Sequence, residues 1–182
     1  MNPKGAVPGS VLLVPIGEVE GELLGRVRDD LAAAIGGGVT IEKTIPLSTS
    51  WYDEARGQVL GPELLRALER VPRPGGGLAL GLVDADCCAS GLNFVFGQAA
   101  PGRGTAFVAL PRLRPSFCGS PEDPERFRGR VLKEAVHELG HTRGLGHCAD
   151  PGCVMHFSNR LEDTDAKDFR FCSRCRHHLK PW

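Results

Sequence analysis

The stretch His137–Cys175 constrains this chain more than any other, because it carries seven metal-ligating side chains at spacings that leave few ways to fold. It begins HELGHTRGLGHC, continues ADPGCVMHFSN and reaches FCSRC sixteen residues after Met155. His137 and His141 are four apart. On a helix that is about 40° of rotation and roughly 6 Å of rise, so both rings reach one ion. Glu138 lies off the ligand row but beside it, where it can hold and deprotonate a zinc-bound water rather than bind the metal. His147 follows six residues after His141. On a continuing helix it would lie about 9 Å further along and face away. The chain must therefore break, and Gly144 stands where a left-handed C-cap is needed. A shuffled chain of this composition would hold HExxH about 0.013 times, falling to the order of 0.00006 once Gly144 and His147 are required. An amphipathic helix with surface histidines is thus the weaker reading.

A second ligand set abuts the first at the His147–Cys148 peptide bond. Four residues separate Cys148 from Cys153, two separate Cys172 from Cys175, and eighteen lie between the pairs. This is the layout of two turns closing on a tetrahedral Zn²⁺ with four thiolates. Such a site carries net negative charge, which Arg170, Arg174, Arg176, His177, His178 and Lys180 could screen. It has no open position for water, so its role would be to hold the fold. Two disulfides are the competing reading, and they need an oxidising compartment to which nothing in the sequence points. A basic CxxC knuckle can also suggest nucleic acid, but 22 basic residues balance 22 acidic ones and no wider basic stripe exists. In an extended segment His147 and Cys148 would point to opposite faces, one into a cleft and one away from it. The structural zinc would then position the third catalytic ligand.

At these residues the sequence resembles a known family. HELGHTRGLGH is similar to the extended zinc signature of the metzincin metalloproteases, and Met155, eight residues after His147, to the methionine of their metal-underlying turn. The run of cysteines after the third histidine resembles one branch, the archaemetzincins. The resemblance implies that His137, His141 and His147 ligate a catalytic zinc and that Glu138 is the general base. It further implies that Cys148, Cys153, Cys172 and Cys175 bind a second, structural zinc, making two per chain. Some metzincins add a tyrosine shortly after the methionine. Here Phe157 stands two past Met155 and the one tyrosine is Tyr52, so that role is absent or filled otherwise. The resemblance also implies a cleft between an N-terminal sheet subdomain and a small irregular C-terminal one, with an edge strand along it; by position that strand is Thr105–Leu110.

At 182 residues the chain can bury one sizeable core, and a single domain is expected, divided at about residue 144 into subdomains 1–144 and 145–182. The zero formal charge argues against electrostatic capture of nucleic acid or membrane. Val11–Ile16 is too short for a membrane span and lacks the flanks of a signal peptide. No removable pro-segment is expected, and seven cysteines, an odd number, fit a reducing cytoplasm.

Hydrophobic periodicity predicts a strand at Val11–Gly17 and a helix at Glu18–Ile35, stopped by Gly36-Gly37-Gly38. A strand at Val39–Pro46, a helix at Leu60–Val71 behind Pro62 and a central parallel strand at Leu78–Val83 follow. Asn93–Gly97 and Thr105–Leu110 read as strands joined by AAPGRG. Pro124–Arg143 is the zinc helix, with Ser120 or Asp123 as N-cap and Glu122 and Glu125 near its positive end. The sum is an α/β (α+β) fold of metzincin type: a mixed twisted sheet with packed helices, a zinc-binding active-site helix and a small irregular C-terminal subdomain.

Cys87 and Cys88 read as buried or partly exposed thiols rather than a redox pair or metal site, and Cys118 as a small core residue. A substrate-side role for His156, which follows Met155 directly, is the weaker reading; His177 and His178 read as a solvated shell, and Trp51 and Trp182 as packing residues. The function that follows is a zinc-dependent metallopeptidase acting on peptide or protein substrates. The alternatives are a zinc-stabilised peptide- or protein-binding module without significant hydrolysis, and a hydrolase of non-peptide amides.

Overall fold

The computed structural model describes residues 10–180. β1 (Val11–Ile16), α1 (Gly21–Ile35), β2 (Val39–Ile41), β3 (Tyr52–Asp53), β4 (Gln58–Leu60) and α2 (Gly61–Glu69) come first. β5 (Leu78–Val83), β6 (Cys87–Cys88), β7 (Gly97–Ala100) and β8 (Thr105–Ala109) follow. The chain ends with the 19-residue α3 (Pro124–Thr142), α4 (Leu161–Ala166) and α5 (Ser173–His178). Trp182, expected to pack at the terminus, lies outside the described residues.

The main sheet has the order β2-β1-β5-β8-β7. β1 pairs in parallel with β2 and β5, β5 with β8, and β7 runs antiparallel to β8. A second, small sheet has the order β3-β4-β6. β1 is buried at every position because both faces are covered. Its Val11 and Leu13 pack with α1 and α3 on one face, and Leu12, Val14 and Ile16 pack with α2 on the other. α1 buries Leu23, Val27, Leu31 and Ile35 at four-residue spacing and stops where Gly36 turns left-handed, with φ 63°. α2 starts behind Pro62 and buries Leu64, Leu65 and Leu68. Each such leucine contributes roughly 1.5–3 kcal/mol by its burial.

α3 carries the expected zinc helix to within a residue of its predicted end. Asp123 is its cap, accepting a 2.9 Å hydrogen bond from the Arg126 N–H, and Glu125 lies in its first turn. Gly144, at φ 90°, then reverses the chain as the motif requires.

Three expectations about the sheet are corrected. The strand expected at Asn93–Gly97 is instead Gly97–Ala100. The Pro101–Gly104 turn, closed by Arg103 N–H donating to Ala100 O at 3.1 Å, fixes the register, and pairing with β8 overrides the weak strand propensity of Gly-Gln-Ala-Ala. In consequence Thr105–Leu110 does not form the edge. β8 lies between β5 and β7, and β7 is the edge strand. The strand expected over Val39–Pro46 also shortens to Val39–Ile41, with one further bridge at Ile45.

Candidate metal centre

α3 and the chain after its left-handed stop bring three imidazoles together. The ligand atoms of His137, His141 and His147 lie within 4.8 Å of one another. His137 Nδ1 donates to Val154 O at 2.7 Å and His141 Nδ1 to Leu145 O at 2.8 Å. With both Nδ1 protons engaged on carbonyls, each Nε2 presents a lone pair, and the two Nε2 atoms stand only 3.1 Å apart. Two facing lone pairs repel unless a cation lies between them, so the donor set fits a bound zinc. Burial holds all three imidazoles below their ordinary range, as neutral ligands require. His137 is buried, His141 half-buried and His147 exposed, so the cluster opens to solvent on one side.

Glu138 is buried beside this cluster, and burial raises its carboxyl well above the usual range, with Glu134 adding to the effect and Lys167 opposing it. It lies against the first residue of β7. A Cβ added at Gly97 would sit 2.6 Å from Phe107 O, 2.7 Å from Glu138 Cγ and 2.8 Å from Glu138 Oε1. The backbone oxygen cannot yield, so Gly97→Ala is expected to cost about 1–3 kcal/mol and to displace Glu138. A lowered melting temperature together with a turnover loss of about tenfold or more would verify it, since a shift of an ångström in a group beside the histidine cluster is enough to slow turnover.

The sequence reading missed the support beneath Glu138. Glu134, one turn earlier, is buried, and its Oε1 accepts from Lys167 Nζ and from Thr164 Oγ1, each at 3.0 Å. Lys167 is itself buried and also donates to His156 O at 3.4 Å. Arg130 forks onto Asp165 at 2.7 and 2.6 Å, and Lys133 donates to the carbonyls of Thr164 and Asp165. These cations tie α3 to α4 and the segment after it. One signal was available: an acid three residues before His137 lies on the ligand row, and a buried acid needs a cation.

The four cysteines form a second cluster. The sulfurs of Cys148, Cys153, Cys172 and Cys175 lie within 4.8 Å of one another, and all but Cys172 are buried. Cys148 Sγ and Cys172 Sγ are 3.9 Å apart, and all described cysteines are free thiols. N–H groups point at sulfur: Cys172 N–H to Cys153 Sγ at 3.3 Å and Arg174 Nη2 to Cys148 Sγ at 3.2 Å. Burial alone would raise the Cys148 thiol, but the Asp150 N–H and Arg174 bring it down to about 7. His147 is exposed and joins the histidine cluster, while its neighbour Cys148 is buried and joins the cysteine cluster.

Between the clusters runs a short hydrogen-bonded return. Cys148 N–H donates to Met155 O at 2.9 Å, His156 Nδ1 to Cys148 O at 3.1 Å, and Val154 N–H to Arg170 O at 3.0 Å. Met155 is fully buried against α3 at Gly140, where an added Cβ would meet its Sδ at 2.5 Å. Gly140, next to His141, is therefore small so that the methionine can reach the helix. His156 is engaged with backbone rather than aimed at substrate. Cys87 and Cys88 are buried, with Cys87 Sγ donating to Ala85 O, while Cys118 is exposed, contrary to expectation, because Pro115–Cys118 turns outward before Gly119. His177 and His178 are exposed and Trp51 is half-buried.

Residues 69–181 match the sequence pattern of peptidase family M54. The archaemetzincin of Pyrococcus furiosus is 43% identical over 176 residues, covering 93% of this chain and 92% of that protein. The crystal structure of archaemetzincin from Archaeoglobus fulgidus, complexed with malonate, superposes with a TM-score of 0.81 at 32% identity, covering 93% of this chain and 99% of that one. A zinc-dependent peptidase from Methanocorpusculum labreanum gives 0.84 at 28% identity, covering 93% of this chain and 100% of that one. These relatives do not favour a binding module without hydrolysis. With family, fold and a zinc-suited histidine cluster in agreement, the chain belongs to the archaemetzincins of peptidase family M54 and is a zinc-dependent metallopeptidase.

Proposed function

We propose that His137, His141 and His147 hold a catalytic zinc, that Glu138 is the general base, and that Cys148, Cys153, Cys172 and Cys175 hold a second, structural zinc. The observation that carries this is the 3.1 Å approach of two Nε2 lone pairs whose Nδ1 protons are both committed to carbonyls. Zinc bound there would supply a Lewis acid that acidifies water and polarises the scissile carbonyl. Glu138 takes the proton of the attacking water and passes it to the leaving amine, a task suited to a carboxyl whose burial favours holding a proton. An extended peptide adds to the sheet along β7, whose outer side has no partner strand among the described residues and whose residues Gly97–Ala99 line the cleft. Met155 under α3 supports placing the chain in the metzincin clan.

The chain then works as one domain, with subdomains 1–144 and 145–182 meeting at the cleft. Free thiols suit a reducing cytoplasm. The balanced charge favours a peptide over a nucleic-acid partner. No helix among the described residues is long and apolar enough to cross a membrane.

Glu138→Gln tests the division of roles. Turnover should fall by about 10²–10⁴-fold, the usual contribution of a positioned acid–base group, with zinc content unchanged. Zinc loss in step with activity would make Glu138 a ligand and overturn the assignment.

A further inference from the structure

The cleft over the histidines has a volume of 590 Å³, and its chemistry is lopsided. Apart from the histidines, its ionisable lining groups are Glu138 and Glu134, and Glu134 is paired with Lys167. The cleft is otherwise walled by residue 89 and residues 91–96, with Leu92, Phe94 and Phe96 among them, and by Phe157. Leu92 and Phe157 remain 45% and 42% exposed, an unusual degree for large apolar side chains sharing one concavity.

This wall is held from behind by side chains rather than by a strand ladder along its length. Arg56 Nη2 donates to the carbonyls of Leu92 and Asn93, and Gln58 Nε2 donates to Asn93 O at 3.0 Å. Arg112 sits with its guanidinium 4.3 Å over the Phe94 ring and 4.9 Å over that of Phe117. The same guanidinium forks onto Asp86 at 2.6 and 2.7 Å, so it cannot rotate away. Phe94 in turn meets Phe96 edge to face, with centroids 5.2 Å apart. None of the backing residues Arg56, Gln58, Asp86 and Arg112 lines the cleft.

We propose that residues 89–96 form the specificity wall of the cleft, receiving a large apolar side chain of the peptide substrate, and that Arg112 is a positioning residue that sets this wall from outside. The inference rests on the histidine cluster being the site of hydrolysis. A leucine or phenylalanine side chain loses water against Leu92, Phe94 and Phe157, whereas a small polar one gains nothing there and an acidic one meets Glu138. Arg112 acts only through the placement of Phe94. Its removal should therefore alter discrimination between substrates and leave the chemistry of the site alone.

The test compares zinc-loaded wild type, Arg112→Met, Phe94→Ala and Phe94→Leu. A mixed peptide library, with cleavage positions read by mass spectrometry, identifies the substrate position that faces the wall. Two peptides differing only there, by leucine or serine, are then assayed for kcat and KM. Wild type should favour leucine by about tenfold or more in kcat/KM, the scale on which apolar pockets discriminate. Arg112→Met and Phe94→Ala should cut that ratio by about fivefold or more, through the KM of the leucine peptide, and Arg112→Met, which does not touch the cleft, should keep kcat on the serine peptide within about twofold of wild type. Phe94→Leu should retain most of the preference.

Equal rates on both peptides in wild type, or a uniform loss on both in Arg112→Met, would overturn the proposal. If Arg112→Met does not fold, the two Phe94 variants decide alone. Calorimetric binding of both intact peptides to zinc-loaded Glu138→Gln separates the inference from its basis. Preferential binding of the leucine peptide without any hydrolysis by wild type would sink the catalytic reading and keep the wall. Hydrolysis without discrimination in rate or binding would sink the wall alone.

Discussion

Moderate chelation of the zinc-loaded protein should yield a folded, inactive chain that retains about one zinc, with activity restored by adding zinc back. The two clusters differ in what surrounds them. His147 is exposed and the histidine site opens on a cleft of 590 Å³, so a chelator has direct access. Cys148, Cys153 and Cys175 are buried and Cys172 half-buried, so metal can leave the thiolates only if the surrounding chain opens. That opening disrupts the hydrogen bonds linking Cys148 to Met155 and Val154 to Arg170, and with them the carbonyl of Val154 that orients His137. Structural zinc binding is of the order of 10–16 kcal/mol in small zinc domains, and much of it is folding free energy. Cys172→Ser should therefore lower the melting temperature and also reduce turnover, although Cys172 is no part of the histidine cluster. Metal content, circular dichroism and activity followed along one chelator titration decide the matter. Both metals leaving together, or activity outlasting the first zinc lost, would remove the distinction between the sites.

How far the sequence reached is governed by the range of the interactions involved. The zinc helix, its Asp123 cap and its left-handed stop at Gly144 depend on neighbours within a turn, and their residues state them outright. Leu78–Val83 was legible because a strand buried on both faces must be apolar throughout. The gathering of the three histidines and of the four cysteines was legible because metal geometry permits few spacings. β7 was not, since Gly-Gln-Ala-Ala carries no strand signature and is recruited by its partner across a turn. For the same reason the edge of the sheet was placed one strand too far inward. α4 and α5 fell below the reach of periodicity, each being six residues long and held by side-chain ties and sulfur contacts. Gly97 and Gly140 show a subtler limit. A glycine in a strand or helix reads as a weakness, and only the positions of Glu138 and Met155 reveal that each is an absence the site requires.

Lys167→Met should destabilise the protein by about 3–5 kcal/mol, which for a chain of this size is a fall of roughly 6–20 °C in melting temperature. Lys167 has no exposed side-chain surface and Glu134 only 4%, so removing the ammonium leaves a carboxylate in a nearly dry interior one turn from the buried Glu138. Thr164 Oγ1 would remain as its hydrogen-bond donor, and one hydroxyl does not replace a charge. The reverse single change, Glu134→Gln, strands the cation instead and should also be costly. Replacing both partners, as Glu134→Leu with Lys167→Met, removes the charges together and should return much of the lost stability, because a buried pair gains little over apolar side chains that fill its volume. The double variant discriminates between two roles for the pair. Were its contribution only to fix α3 against the segment after α4, the repacked chain should keep its zinc and turn over substrate near the wild-type rate. A stable, zinc-loaded double variant with poor turnover would assign the pair a part in placing Glu138. A Lys167→Met variant melting within about 2 °C of wild type, less than the shift 1 kcal/mol produces, would mean that the pair does not lock the two segments.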